Sequence, residues 1–397
     1  MPGRRTQTTS RHEGLVARGP LALAILVLLA LVIGAAVLDV PPALWSRPGW
    51  ADLRGDILGT LGLPTPQPTA PPAQAGAEGW YQVYFTSPRY PDRESDHQHG
   101  IDEHLVRLIA AAQRSVDVAA YELNLDSVAD AMLAARERGV AVRLVTDTDN
   151  LEEEAVRRLE QGGVPVVDDR RGAIMHNKFV VIDGQLVWTG SWNPTVNCTY
   201  RNNNNAIAIE SVALARNYEA EFAEMFEESR FGPRSPSRTP YPQVTIEGTR
   251  IESYFAPEDQ VAGHLMNTVS QAQESIHFLA FSFTDSELAQ LLIERAEAGL
   301  SVSGVVEKRG AESEYSQFGA LRRAGIDVLV DGNPYIMHHK VLIIDEAIVV
   351  TGSFNFSQSA NEANDENVLI IHNPDVARLY LEEFQRMRQQ ALEAAHR

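Results

Sequence analysis

Residues 175–193 read Met175-His176-Asn177-Lys178-Phe179-Val180-Val181-Ile182-Asp183-Gly184-Gln185-Leu186-Val187-Trp188-Thr189-Gly190-Ser191-Trp192-Asn193. The pattern returns 162 positions later as Met337-His338-His339-Lys340, Val341 to Ile344, Asp345, and Thr351-Gly352-Ser353-Phe354-Asn355. Six polar or small positions recur in register, a coincidence on the order of one in a million at ordinary residue frequencies. The apolar positions between them have drifted, as in Phe179/Val341 and Trp188/Val350, while the polar ones have not. Function, more than ancestry alone, accounts for that difference. The long period marks a duplicated domain; solenoid repeats run about 20–50 residues.

Outward from the motif, each half reads alike. A helix (His104 to Arg114; Val261 to Gln273) leads to an apolar strand (Val116 to Tyr121; Ile276 to Phe281), then to a second helix (Ser127 to Arg138; Ser286 to Ala298) closed by Gly139 or Gly299. Another strand follows (Val140 to Thr146; Leu300 to Val306), and the motif itself forms a hairpin, Lys178 to Ile182 and Leu186 to Trp188, turning at Asp183-Gly184. Alternating strands and helices predict an α/β fold with helices on both faces of a sheet. The halves are expected over 80–232 and 246–397, joined by the Pro/Ser/Arg-rich Phe231 to Gln243.

Side chains alternate along a strand, so His176 and Lys178 share one face, as do His338 and Lys340. Asp183 and Asp345 have the opposite parity and sit at the turn, which suggests fixing of the turn more than proton transfer. The following Gly-Ser turns, with Ser191, Asn193, Ser353 and Asn355, offer hydrogen-bond donors to an anion. Doubled, the set supplies two imidazoles and two ammoniums at a pseudo-twofold interface, which is chemistry suited to a phosphate.

At these residues the chain resembles the phospholipase D superfamily, whose signature is His-x-Lys-x4-Asp followed by Gly-Ser-x-Asn, usually twice per active site. The resemblance runs from about Tyr81 to the C-terminus. It implies two α/β/α halves around one site, no metal and no cofactor, with His176, Lys178, Asp183, His338, Lys340 and Asp345 as the catalytic set. It also implies a two-step displacement in which one histidine attacks phosphorus and the other protonates the leaving alcohol. Family synthases tend to extend the motif as Asn-x-Asp-x-Arg-Ser. Asn193-Pro194-Thr195-Val196-Asn197 and Asn355-Phe356-Ser357-Gln358-Ser359 depart from it, which weighs against a phosphatidyltransferase.

The likeness also implies orienting partners for the histidines. Glu366 lies 28 residues after His338, and Asn204 lies 28 after His176. The expectation is a carboxylate on His338, fitting it as general acid, and a neutral amide on His176, the nucleophile.

Composition narrows the substrate. The 397 residues hold 34 Lys+Arg against 53 Asp+Glu. Six of the basic and five of the acidic residues lie in 1–79, leaving 28 against 48, a net −20, in the folded part. Such acidity opposes polyanions. From Gly19 to Leu38 runs an uncharged stretch of 20 residues, long enough as a helix to span about 30 Å of hydrocarbon. Arg4, Arg5, Arg11 and Arg18 precede it. The expectation is a cytoplasmic N-terminus (1–18), a transmembrane signal anchor (19–38), a Pro/Ala-rich linker (39–79) and an extracytoplasmic catalytic part, secreted if the apolar segment is cleaved.

Phospholipid is therefore the expected substrate, a nucleic acid the alternative, and a non-catalytic scaffold the third reading; one chain should suffice for a complete site. A single cysteine, Cys198, excludes an intrachain disulfide. Asp96-His97-Gln98-His99 reads as a polar loop rather than a metal clip. Tyr121, Trp192, Phe281, Phe354 and Phe356 read as core more than as an acyl-chain groove.

Overall fold

The computed structural model describes residues 79–396, and the expected membrane anchor and linker lie outside them. Among the described residues no helix is long and apolar enough to cross a membrane. The first half contains β1 (Tyr81–Phe85), α1 (Asp102–Ala111), β2 (Ser115–Ala120), α2 (Asp126–Glu137), β3 (Ala141–Thr146), α3 (Glu154–Gln161), β4 (Val166–Asp168), β5 (Lys178–Ile182), β6 (Leu186–Gly190), β7 (Asn205–Glu210) and α4 (Val212–Phe226). The second contains β8 (Gln243–Ile246), β9 (Thr249–Ala256), α5 (Val261–Ser270), β10 (Ser275–Ala280), α6 (Ser286–Glu297), β11 (Ser301–Val306), α7 (Lys308–Glu312), α8 (Phe318–Arg323), β12 (Asp327–Val330), β13 (Lys340–Ile344), β14 (Ile348–Gly352), α9 (Gln358–Glu362), β15 (Glu366–His372) and α10 (Pro374–Ala395).

The sheets have the orders β1-β7-β6-β5-β2-β3-β4 and β12-β11-β10-β13-β14-β15-β9-β8, the same arrangement plus one extra edge strand. Each is mixed. β2 runs parallel to β3 and antiparallel to β5; β10 does the same with β11 and β13. β1, β8 and β9 were not foreseen, and β8 begins inside the expected connector. β1 closes the first sheet against β7, while in the second β9 pairs with β15 and carries β8 as the edge.

Three apolar clusters divide the core. One serves the first half with α1 and α2, and one serves the second with α5 and α6. The third takes Phe179, Val181 and Ile207 from one sheet, Val341, Ile343 and Leu369 from the other, and Tyr218, Phe222, Tyr380 and Phe384 from the two long helices α4 and α10. This shared core welds the halves along their pseudo-twofold, because burying apolar surface from both sheets at once disfavours separation. The site is built at that seam.

Candidate active site

Each motif strand is preceded by a short segment that pairs with the opposite half. His176 N donates to Asp365 O at 2.9 Å and His338 N to Asn203 O at 2.8 Å. In return Asp365 N donates to Ile174 O and Asn203 N to Ile336 O. The motif histidine of one half is thereby tied beside the residue at the mouth of the other half's β7 or β15.

That crossing corrects the expected pairing. His176 Nδ1 meets Glu366 Oε2 at 2.7 Å, and His338 Nδ1 meets Asn204 Oδ1 at 3.0 Å and Ser191 O at 3.2 Å. The carboxylate belongs to His176, not His338, because its backbone neighbour Asp365 is bonded across the seam. Both acceptors on His338 are oxygens, so its Nδ1 carries the proton and its Nε2 is free to react.

The serines are also corrected. Ser191 Oγ accepts from Asn205 N and donates to Asn204 Oδ1 at 3.0 Å; Ser353 Oγ accepts from Asn367 N and donates to Glu366 Oε2 at 2.6 Å. Their hydroxyls hold the orienting residues rather than waiting for an anion. The preceding glycines are obligatory. Gly190 and Gly352 have φ of 152° and 150°, and a Cβ on either would lie 2.4 or 2.2 Å from the Asn205 or Asn367 carbonyl. Asn193 Oδ1 and Asn355 Oδ1 are buried without hydrogen-bond partners, and Asn193 Nδ2 lies 3.7 Å from Cys198 Sγ.

Asp183 and Asp345, carried over as catalytic, stand apart from the reacting groups. Asp183 accepts from the backbone N–H of Gln113, Arg114 and Ser115, and Asp345 from Gln273, Glu274 and Ser275. Each ties its hairpin turn to the backbone entering β2 or β10, a turn role that its parity suggested. These amide bonds outweigh burial and hold both carboxyls below the usual range.

His176, Lys178, His338, Lys340 and Glu366 are all at most 8% exposed. Lys178 and Lys340 each donate to the carbonyl of their own motif histidine at 2.8 Å. Burial pushes both histidines well below their ordinary value, and the two ammoniums push them further. Burial likewise lowers Lys178 to about 8, against the pull of Glu366, and lowers Lys340 well below the usual lysine range. Glu366 is raised to about 8 by burial, with the lysines opposing. One carboxyl thus faces four groups able to carry positive charge. An incoming anion supplies the negative charge that this site lacks and favours protonation of the lysines and of one histidine.

Two aromatics that read as core line the site. The half-buried Tyr121 ring lies 5.2 Å from Lys178 Nζ and edge-on to His176; Phe281 lies 4.7 Å from Lys340 Nζ and edge-on to His338. Trp192, Phe354 and Phe356 are buried packing, as expected. His97 bonds Asp92 and stacks on Tyr200, so it belongs to a fixed polar loop. Sequence reasoning missed a second pair beneath the site. Asn205 binds Thr351, Tyr380 and His339, and Asn367 binds Thr189, Tyr218 and Asn177. Their recurrence at the motif's own offset was the available signal.

The family described as "Cardiolipin synthase, PLD-like domain" matches residues 105–226 and again 265–388. Phospholipase D from Rickettsia conorii is 34% identical over 137 residues, covering 34% of this chain and 68% of that protein. Human mitochondrial cardiolipin hydrolase is 34% identical over 132 residues, 33% of this chain and 52% of its own length. Phosphatidylserine synthase of Haemophilus influenzae Rd KW20 shares the fold at 13% identity and a TM-score of 0.55, over 79% of this chain and 89% of that one. Two matched copies of the family's domain, folded so that each completes the other's site, place this chain in the phospholipase D superfamily, as a hydrolase of phosphoric diesters.

Proposed function

We propose that the chain is a membrane-tethered phospholipase D that hydrolyses phospholipid head groups, converting phosphatidylcholine-like lipid to phosphatidic acid and the free alcohol. The carrying observation is the buried cluster of four groups able to carry positive charge around one carboxyl, which fits a single phosphodiester. Lys178, Lys340 and the Asn193 and Asn355 amides would neutralise the non-bridging oxygens.

His176 Nε2 attacks phosphorus while His338 gives its Nε2 proton to the departing alcohol oxygen, leaving a phosphohistidine. A water then attacks the phosphorus, His338 takes its proton, and the His176 nitrogen–phosphorus bond breaks. The crossed pairing changes the reason for these roles. A phosphorylated imidazole with a proton on Nδ1 is a fixed cation, which the Glu366 carboxylate can stabilise. The acid must alternate between imidazolium and imidazole, and a neutral partner, Asn204, leaves it free to do so.

Lipid is favoured over nucleic acid by the net −20 of residues 80–397 and by the uncharged 19–38 stretch, which would anchor the chain with its catalytic part outside the cytoplasm. The relatives named phospholipase D and cardiolipin hydrolase point the same way. Full-length protein in mixed micelles, offered phosphatidylcholine and single-stranded DNA in parallel with His176→Ala and His338→Ala controls, tests the reading. Lipid turnover lost in both variants is expected. DNA cleavage alone selects a nuclease, and activity on neither selects a scaffold.

A further inference from the structure

The two halves differ beneath the active site. In the second half, Glu383 on α10 is met by His339 Nε2 at 2.8 Å and by Arg386, whose Nε and Nη2 each donate to it at 2.7 Å. Asn205 Nδ2 donates to His339 Nδ1, so His339 is a neutral ring and Arg386 is the compensating charge. Burial opposes ionisation, yet Arg386 and His339 hold Glu383 below its ordinary value. Arg386 reaches on to Thr86 O at 2.9 Å, at the exit of β1.

In the first half the equivalent of Glu383 is Glu221 on α4, of His339 is Asn177, and of Arg386 is Glu224, all at the same offset of 162. A guanidinium is thus replaced by a carboxylate. Glu258, two residues past the end of β9, adds a third acid. Donor atoms of Glu221, Glu224 and Glu258 lie within 4.8 Å of one another. Glu224 is only 5% exposed, and its Oε2 and that of Glu258 are buried with no hydrogen-bond partner. Arg230 and Arg238, whose charges reach Glu224, are bonded to Glu228.

We propose that Glu221, Glu224 and Glu258 bind one hard divalent cation, which takes in the first half the place that the Arg386 guanidinium takes in the second. An all-carboxylate donor set suits Ca²⁺ or Mn²⁺ better than zinc or copper, which favour nitrogen and sulfur. The cation fixes Glu221, which accepts from Asn177 Nδ2 at 3.1 Å, and Asn177 in turn accepts from Asn367 across the seam. Its role is structural, two residues removed from the phosphodiester chemistry. Without it, burial pushes Glu224 and Glu258 up to about 7, helped at Glu224 by the charge of Glu258 and at Glu258 by those of Asp259 and Asp365.

Thermal unfolding of the full-length chain, stripped with chelator and titrated with CaCl₂, tests this. Saturating Ca²⁺ should raise Tm by about 3–6 °C at a hundredfold excess over its dissociation constant. Mn²⁺ magnetic resonance should count one tight ion per chain, displaced by Ca²⁺. Glu224→Gln and Glu258→Gln should lose both signals, while the exposed Glu228→Gln keeps them. Glu224→Arg, which copies the second half, should melt near the Ca²⁺-loaded temperature with chelator present and ignore added cation. A wild-type Tm indifferent to Ca²⁺ would identify the trio as carboxyls sharing protons and overturn the proposal. So would a shift that survives in both glutamine variants.

Discussion

The two halves share strand order, motif geometry and seam contacts, yet below the substrate they carry different side chains at matched positions. Asn204 stands against Glu366, Asn177 against His339, and Glu224 against Arg386. The first half lends a neutral amide to its neighbour's histidine; the second lends a carboxylate. A symmetric fold can thus give two chemically identical imidazoles different work, since a partner's charge decides which ring is better held as a cation.

Removing either ring should have the largest effect. His176→Ala and His338→Ala should each lower kcat/KM by on the order of 10⁴ or more, and the double variant should be little worse than either, because the two act in one reaction. A double variant whose loss equals the product of the single losses would break the idea of a single composite site.

The orienting pair should separate the halves more finely. Glu366→Gln should cost about 100-fold in turnover and Asn204→Ala about tenfold, as expected for removing a charged and a neutral support. Equal losses would erase the asymmetry.

Anion binding gives a pH test of the shared lysines. Lys178 is charged below about 8 and neutral above it, so tungstate, whose own charge is constant in this range, should bind more weakly as pH rises through about 8. Lys178→Met should flatten that limb. A flat profile in the wild type would remove Lys178 from the phosphate site.

Smallest should be the effect of the turn carboxylates, where the halves agree. Asp183→Ala and Asp345→Ala should each destabilise by about 1–2 kcal/mol through three lost backbone bonds, and leave kcat/KM within about twofold. Calorimetry beside kinetics checks this; a large catalytic loss would return them to the reacting groups.

Much of this comparison was legible before the fold was known. The duplication, the hairpins, the shared face of His176 with Lys178 and the turn role of Asp183 follow from repetition and strand parity, which are local. The crossed pairing was not, because aligning the copies places Glu366 beside His338 by construction, while the chain interleaves the halves through His176 N and Asp365 O. The serine hydroxyls were misread for a similar reason. Their partners, Asn204 and Glu366, are 13 residues downstream and reach them only when β7 and β15 pair with the motif hairpins. Tyr121 and Phe281 looked like core because hydrophobicity does not reveal that a ring's face meets an ammonium.

The central claim is that the two halves form one site in which His176, held by the opposite half's Glu366, carries the phosphoryl group. Rapid acid quenching of the full-length enzyme during lipid turnover, followed by mass spectrometry of its peptides, tests it directly. The account predicts one phosphoryl or phosphatidyl adduct per chain, on His176, with a shorter lifetime in Glu366→Gln. An adduct on His338 would reverse the roles, and adducts on both histidines of one chain would contradict the single shared site.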